Sequence, residues 1–278
     1  MVAVLSPTAC GSLPSREATV IPAGSHNRLL AVLPRLDRER LHPFLEPVRL
    51  VRGKVLHESS TRVNHVYFPT TAIVALLQIM ADGATGEIAL VGNDGLVGIS
   101  SVTGAETTHN RAVVQSEGYG YRLKADVLRQ EFARGGAMQK IVLRYMQALM
   151  TQIAQTAICN RRHSLQQQLC RWLLLSLDRL PSSRMHMTQE LIANILGVRR
   201  EGVSDAAGRL KAAGFIQYSR GEISVLDRAG LEGLSCECYA AVRGECERLL
   251  GIPVAGTPRS EGAGTWRFAG AAPFGQAG

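Results

Sequence analysis

Arg199-Arg200-Glu201, followed by Ser204-Asp205, places two guanidinium groups, two carboxylates and a hydroxyl within seven residues. Such groups read base edges. An arginine fork donates to guanine O6 and N7 or to phosphate, and a glutamate accepts from the cytosine amine. Thr188 and Gln189 lie upstream, Arg209 and Arg220 downstream, and all nine residues are expected to face nucleic acid. Cys236, Cys238 and Cys246 form a second constellation, Cys-x-Cys-x7-Cys, with the chemistry of a metal or redox site. On a continuous helix, however, a Cys-x-Cys pair points its thiols about 200° apart, poor for one tetrahedral ion. Three ordinary thiols is therefore the plainer reading, with a redox or metal-binding protein as the alternative. Cys10 stands alone, Cys159 and Cys170 read as small core hydrophobes, and His163 as a cap at a helix start. No nucleophile–base triad, phosphate loop or paired-carboxylate constellation stands out, so neither catalysis nor a cofactor is expected.

The elements that position the first constellation are legible. Thr188 is a good N-cap for a short helix carrying Leu191, Ile192 and Ile195, which stops at Gly197. A second helix from about Arg199 buries Val203, Ala206, Ala207 and Leu210, leaving the arginines outside. Phe215–Tyr218 and Glu222–Leu226 flank Ser219-Arg220-Gly221 as a hairpin. A supporting helix, a glycine turn, a recognition helix and a wing make a winged helix-turn-helix, against a generic helical hairpin as the bland alternative.

Charge placement agrees. The 278-residue chain is +8, and residues 161–228 hold 11 basic and 6 acidic side chains, net +5. Hydrophobic residues at 46% exclude a disordered chain. The longest apolar runs are far below the roughly 20 residues a membrane span needs, and the N-terminus lacks a secretory pattern. A cytoplasmic protein with reduced thiols is expected.

Upstream, short apolar runs bounded by Gly, Asn and Ser recur every 8–12 residues or so: 48–51, 63–68, 73–80, 87–91, 96–101, 111–115 and 119–123. They predict an antiparallel sandwich or barrel, with Asp82-Gly83 as a hairpin turn. From Ala137 to about Asn160, Met138, Ile141, Val142, Tyr145, Leu149 and Ile153 recur at helical spacing. The mild polar face of this long helix suggests burial of that apolar stripe against a second copy, or within its own monomer. The expected division is a disordered tail at 1–26, a β-roll at 27–135 and a dimerisation helix at 136–160. A winged helix-turn-helix follows at 161–232, then a C-terminal helix at 233–250 and a second disordered tail at 251–278.

In this order of parts, the chain resembles the Crp/Fnr superfamily of bacterial transcription regulators over about residues 27–232. The resemblance implies an α+β fold: an N-terminal antiparallel β-roll, jelly-roll-like and similar to cyclic-nucleotide-binding domains, then a long dimerisation helix and a C-terminal winged helix-turn-helix. It implies double-stranded DNA and a second copy as partners, and RNA polymerase as well if the chain activates. Arg200-Glu201 would be the base-reading pair, Thr188 a phosphate contact, and Asp205 stands where a further base-reading arginine occurs in the catabolite activator protein. The effector position departs from the family. Val97-Gly98-Ile99 replaces Phe-Gly-Glu, and His109-Asn110 replaces the arginine-serine pair. Arg111 lies one residue off, facing the opposite side by strand alternation. A cyclic phosphate needs a fixed cation, so tight cyclic AMP or cyclic GMP binding is not expected, and the effector is unknown.

Overall fold

A run as apolar as Ile73-Val74-Ala75-Leu76-Leu77 needs both faces of its strand covered. The computed structural model, which describes residues 26–251 apart from residue 106, shows how. The expectations of disordered tails fall almost wholly outside these residues.

Two short helices, α1 (Arg28–Ala31) and α2 (Arg35–Leu41), are followed by a 3-10 turn at His42–Phe44. The Asn27 side chain caps α1, and its amide donates to the carbonyls of Pro69 (2.9 Å) and Gly95 (2.8 Å), tying the helix to the strands. Those strands are β1 (Glu46–Leu50), β2 (Val55–His57), β3 (His65–Pro69), β4 (Ile73–Ile79), β5 (Thr85–Val91), β6 (Arg111–Ser116) and β7 (Gly118–Lys124). They form two antiparallel sheets in the orders β1-β7-β3 and β2-β6-β4-β5. Leu50, Phe68, Val74, Leu76, Val91 and Leu123 fill the space between them. This is the expected β-roll, and Asp82-Gly83 closes the β4–β5 hairpin.

Residues 96–101 differ from expectation. Gly98 takes φ 96°, which turns the chain into a 3-10 helix at Ile99–Val102, leaving a Tyr67–Val97 bridge as the strand-like remnant. The three-residue β2 is too short for its alternation to register. Also unforeseen is α3 (Ala125–Ala133), whose Leu128 completes the roll.

The long helix α4 (Gly136–Arg162) leads to α5 (Leu165–Leu177), which begins at a Ser164–Gln167 capping box. Next come β8 (Arg184–His186), α6 (Gln189–Leu196), α7 (Arg200–Ala212), β9 (Ile216–Ser219) and β10 (Glu222–Val225). The three strands form a small antiparallel sheet in the order β8-β10-β9, one strand more than the expected hairpin. The helix expected at 233–250 begins later, as α9 (Glu237–Leu250), and a short helix not expected from the sequence, α8 (Arg228–Leu234), precedes it, the two separated at Ser235-Cys236.

Trp172, Leu173, Ile192, Val203, Leu210, Ile216 and Ile223 make a second core. It is not confined to the C-terminal half. Alternate residues of β4 and β5, namely Ile73, Ala75 and Leu90, point away from the roll and join it. One sheet therefore serves two cores. Polar links cross the same seam: buried Arg179 reaches Asp94 at 3.0 Å and Gln152 at 3.0 Å, and Arg52 donates to the His186 carbonyl at 3.2 Å.

Candidate nucleic-acid interface

The helix-turn-helix is held by its own caps. Thr188 Oγ1 accepts from the Leu191 N–H at 3.2 Å, starting α6, and Gly197 ends it at φ 66°, a conformation natural to glycine. Arg199 precedes α7, whose Val203, Ala206, Ala207 and Leu210 are buried, so that Arg199, Arg200, Glu201 and Asp205 stand exposed. The Ser204 hydroxyl lies 2.7 Å from Gln189 Oε1, joining supporting and recognition helices. Tyr218 donates to the Met187 carbonyl at 2.9 Å and anchors the wing.

Between α7 and the wing runs an open groove of about 500 Å³, lined by Thr188, Gln189, Glu190, Arg200, Tyr218 and Arg220. Arg220 sits at the wing tip with φ 49°. Seven of the nine residues expected at DNA are thus on or beside the free face of α7, and Arg220 is across the groove. Arg209 is the exception. Nine positions after Arg200 is two and a half helical turns, so it points back and donates to Gln166 of α5 at 3.0 Å. Arg184 and His186 were missed: they flank the other side of the wing beside Arg220, on a strand whose three residues give no readable period.

The sequence profile of the Crp-like helix-turn-helix domain matches residues 167–234. Residues 167–234 are a Crp-like helix-turn-helix domain, carried on a Crp/Fnr fold. Solved structures show that fold. A regulator of the crp/fnr family from Eubacterium rectale superposes with TM-score 0.58 at 15% identity, over 74% of this chain and 96% of its own. FixK2 from Bradyrhizobium japonicum gives 0.58 at 16%, over 69% and 98%. The c-di-GMP-responsive regulator CLP from Xanthomonas campestris gives 0.56 at 12%, over 69% and 99%. No curated protein matches the chain. DNA binding and transcription regulation are the functions this Crp-like domain carries, and no helix among the described residues is long and apolar enough to cross a membrane.

The residues expected at an effector position lie around a second concavity. A cavity of about 210 Å³ lies between the roll and α4. Gly98, Ile99 and Asn110 line it, together with His57, Thr108, Met146, Leu149 and Met150. Val97 is buried beside Tyr67, and His109 is exposed, so neither belongs to the lining. Arg111 is committed elsewhere, its Nε 2.9 Å from Glu58 Oε1. Gly98 is required there because a Cβ would fall 2.7 Å from the His57 ring. Burial lowers the His57 pKa, and Nε2 donates to the His65 carbonyl at 2.7 Å. The cavity wall therefore holds a neutral imidazole and, among the described residues, no arginine or lysine.

The stripe on α4 expected to meet a second copy is used inside the chain. Met138, Val142, Tyr145 and Leu149 are buried in the core of the roll, and half-buried Ile141 and Ile153 pack against it. Tyr145 donates to the Leu96 carbonyl at 3.0 Å. The residue period was sound, but the roll claims that face first. What α4 leaves outside is Leu143 (49% exposed), Met150 (62%) and Ile158 (55%).

Proposed function

We propose that the chain is a sequence-specific transcription regulator that binds a two-fold-related operator as a homodimer in the cytoplasm, without control by cyclic AMP or cyclic GMP. One observation carries it: α7 buries Val203, Ala206, Ala207 and Leu210 and leaves Arg199, Arg200 and Glu201 exposed at its N-terminal end, where Arg220 shares the groove with Arg200. That end of a recognition helix is the part that meets base edges in the major groove. Mobility shift with the chain's own promoter region tests it: Arg200→Ala should weaken specific binding, and undiminished specific binding by that variant would refute the base-reading role.

Homodimerisation is supported by Leu143, Met150 and Ile158, which are exposed at spacings of seven and eight residues on one side of α4. Sedimentation of a Leu143→Glu/Met150→Glu variant should give a monomer. Independence from cyclic nucleotides is supported by the cation-free cavity. The cavity also favours a second role as a receptor for an uncharged small molecule. Met150 both lines it and stands on the exposed side of α4, so an occupant would touch the surface that pairs the two copies. A melting-temperature screen of uncharged metabolites tests this role.

A further inference from the structure

Four side chains distant in sequence converge where α4 ends and α9 begins. Cys159 lies in the last turn of α4 and His163 just beyond it, while Cys236 precedes α9 and Cys238 is in its first turn. One donor atom from each lies within 4.8 Å of all the others. Cys159 Sγ is 3.5 Å from Cys236 Sγ, and Cys238 Sγ is 3.6 Å from His163 Nδ1. Zinc bonded to sulfur at about 2.3 Å and to nitrogen at about 2.0–2.1 Å makes a tetrahedron with edges of about 3.8 Å (S–S) and about 3.5 Å (S–N). The distances already match such edges.

The splay expected of Cys236 and Cys238 on one helix does not arise, because Cys236 is the extended N-cap residue, with ψ 164°. Cys246 takes no part, lying instead beside Asp94 and Arg179. All three converging cysteines are buried. His163 presents Nδ1 to the cluster, and its Nε2 is 3.2 Å from the Glu237 carboxylate, the outer partner that orients a metal-bound imidazole. We propose that Cys159, His163, Cys236 and Cys238 hold one Zn²⁺ in a closed, four-coordinate structural site. Three thiols give their protons to solvent on binding, leaving a net charge of −1 that buried Arg171 is placed to balance, since its charge acts on Cys159. Soft thiolates with one imidazole select zinc over the harder divalent ions. The ion would pin both ends of the DNA-reading unit, the chain entering at His163 and the chain leaving at Cys236, to the end of the long helix.

The test uses the full chain, purified under reducing conditions. Elemental analysis should find one zinc per chain, and the cobalt-exchanged protein should show thiolate charge-transfer and tetrahedral d–d absorption. Cys246→Ser should keep both signals. Cys238→Ser and His163→Ala should lose them, and His163→Cys should restore them. A chelator should lower the melting temperature of wild type and Cys246→Ser but leave Cys238→Ser unchanged. Folded wild-type protein that takes up neither metal overturns the proposal, as does cobalt binding that survives in Cys238→Ser. Neither result depends on a variant that fails to fold.

Discussion

The cavity under the roll and the groove beside the wing are lined by opposite chemistries. The cavity has apolar walls with a few neutral polar groups, whereas the groove is lined by Arg200 and Arg220 among mostly polar residues. A phosphodiester suits only the second. One fold thus presents a cavity and a groove of different chemistry, and the backbone alone does not say what either one holds.

The largest test of this contrast is Arg200→Ala, which should weaken specific DNA binding about 10- to 100-fold in mobility shift at fixed salt, a bidentate contact being worth about 1–3 kcal/mol. Titration of stability comes next, because it asks whether the two places belong to one folded body. Glu87 lies buried on β5, accepts from the Gln115 amide at 3.0 Å, and is pushed by burial up to about 8 from 4.5. Its contribution is complete below pH 4.5 and is lost as pH rises towards 8. Wild-type melting temperature should therefore fall across that window, and Glu87→Gln should flatten the fall; parallel profiles would show that this carboxyl is not held protonated. Arg220→Ala should weaken binding to all sequences alike and lower the slope of log affinity against log salt by about one. The smallest expected effect is none: cyclic AMP at millimolar concentration should not move the melting temperature of wild type. An Ile99→Glu/Asn110→Arg variant, which restores an acceptor and a cation, should respond.

What could be read from residues followed from period and capping. The helix-turn-helix was plain because Thr188, Gly197 and the buried set on α7 each allow one local structure, and the hairpin at Asp82-Gly83 likewise. What failed was choice of partner. The stripe from Met138 to Leu149 reads the same whether it faces a second copy or its own roll, and only the folded chain shows the roll taking it. The strand expected at 96–101 failed because one glycine at φ 96° redirects an apolar run. Arg111, one residue off the position read for an effector cation, pairs with Glu58 and does not line the cavity. The Cys159, His163, Cys236 and Cys238 convergence was hidden because its halves are 73 residues apart, and because Cys236 and Cys238 were read as lying on one continuous helix, whereas Cys236 is the extended residue before α9.

The double service of β4 and β5 sets how this protein can be handled. Cutting the chain after α4 would strip Ile73, Ala75 and Leu90 of their cover and leave an apolar sheet face in water. An isolated sensor half should therefore aggregate on expression, and calorimetry of the intact chain should show one melting transition rather than two. Dissection into modules, the usual route to studying such regulators, would here study a different object.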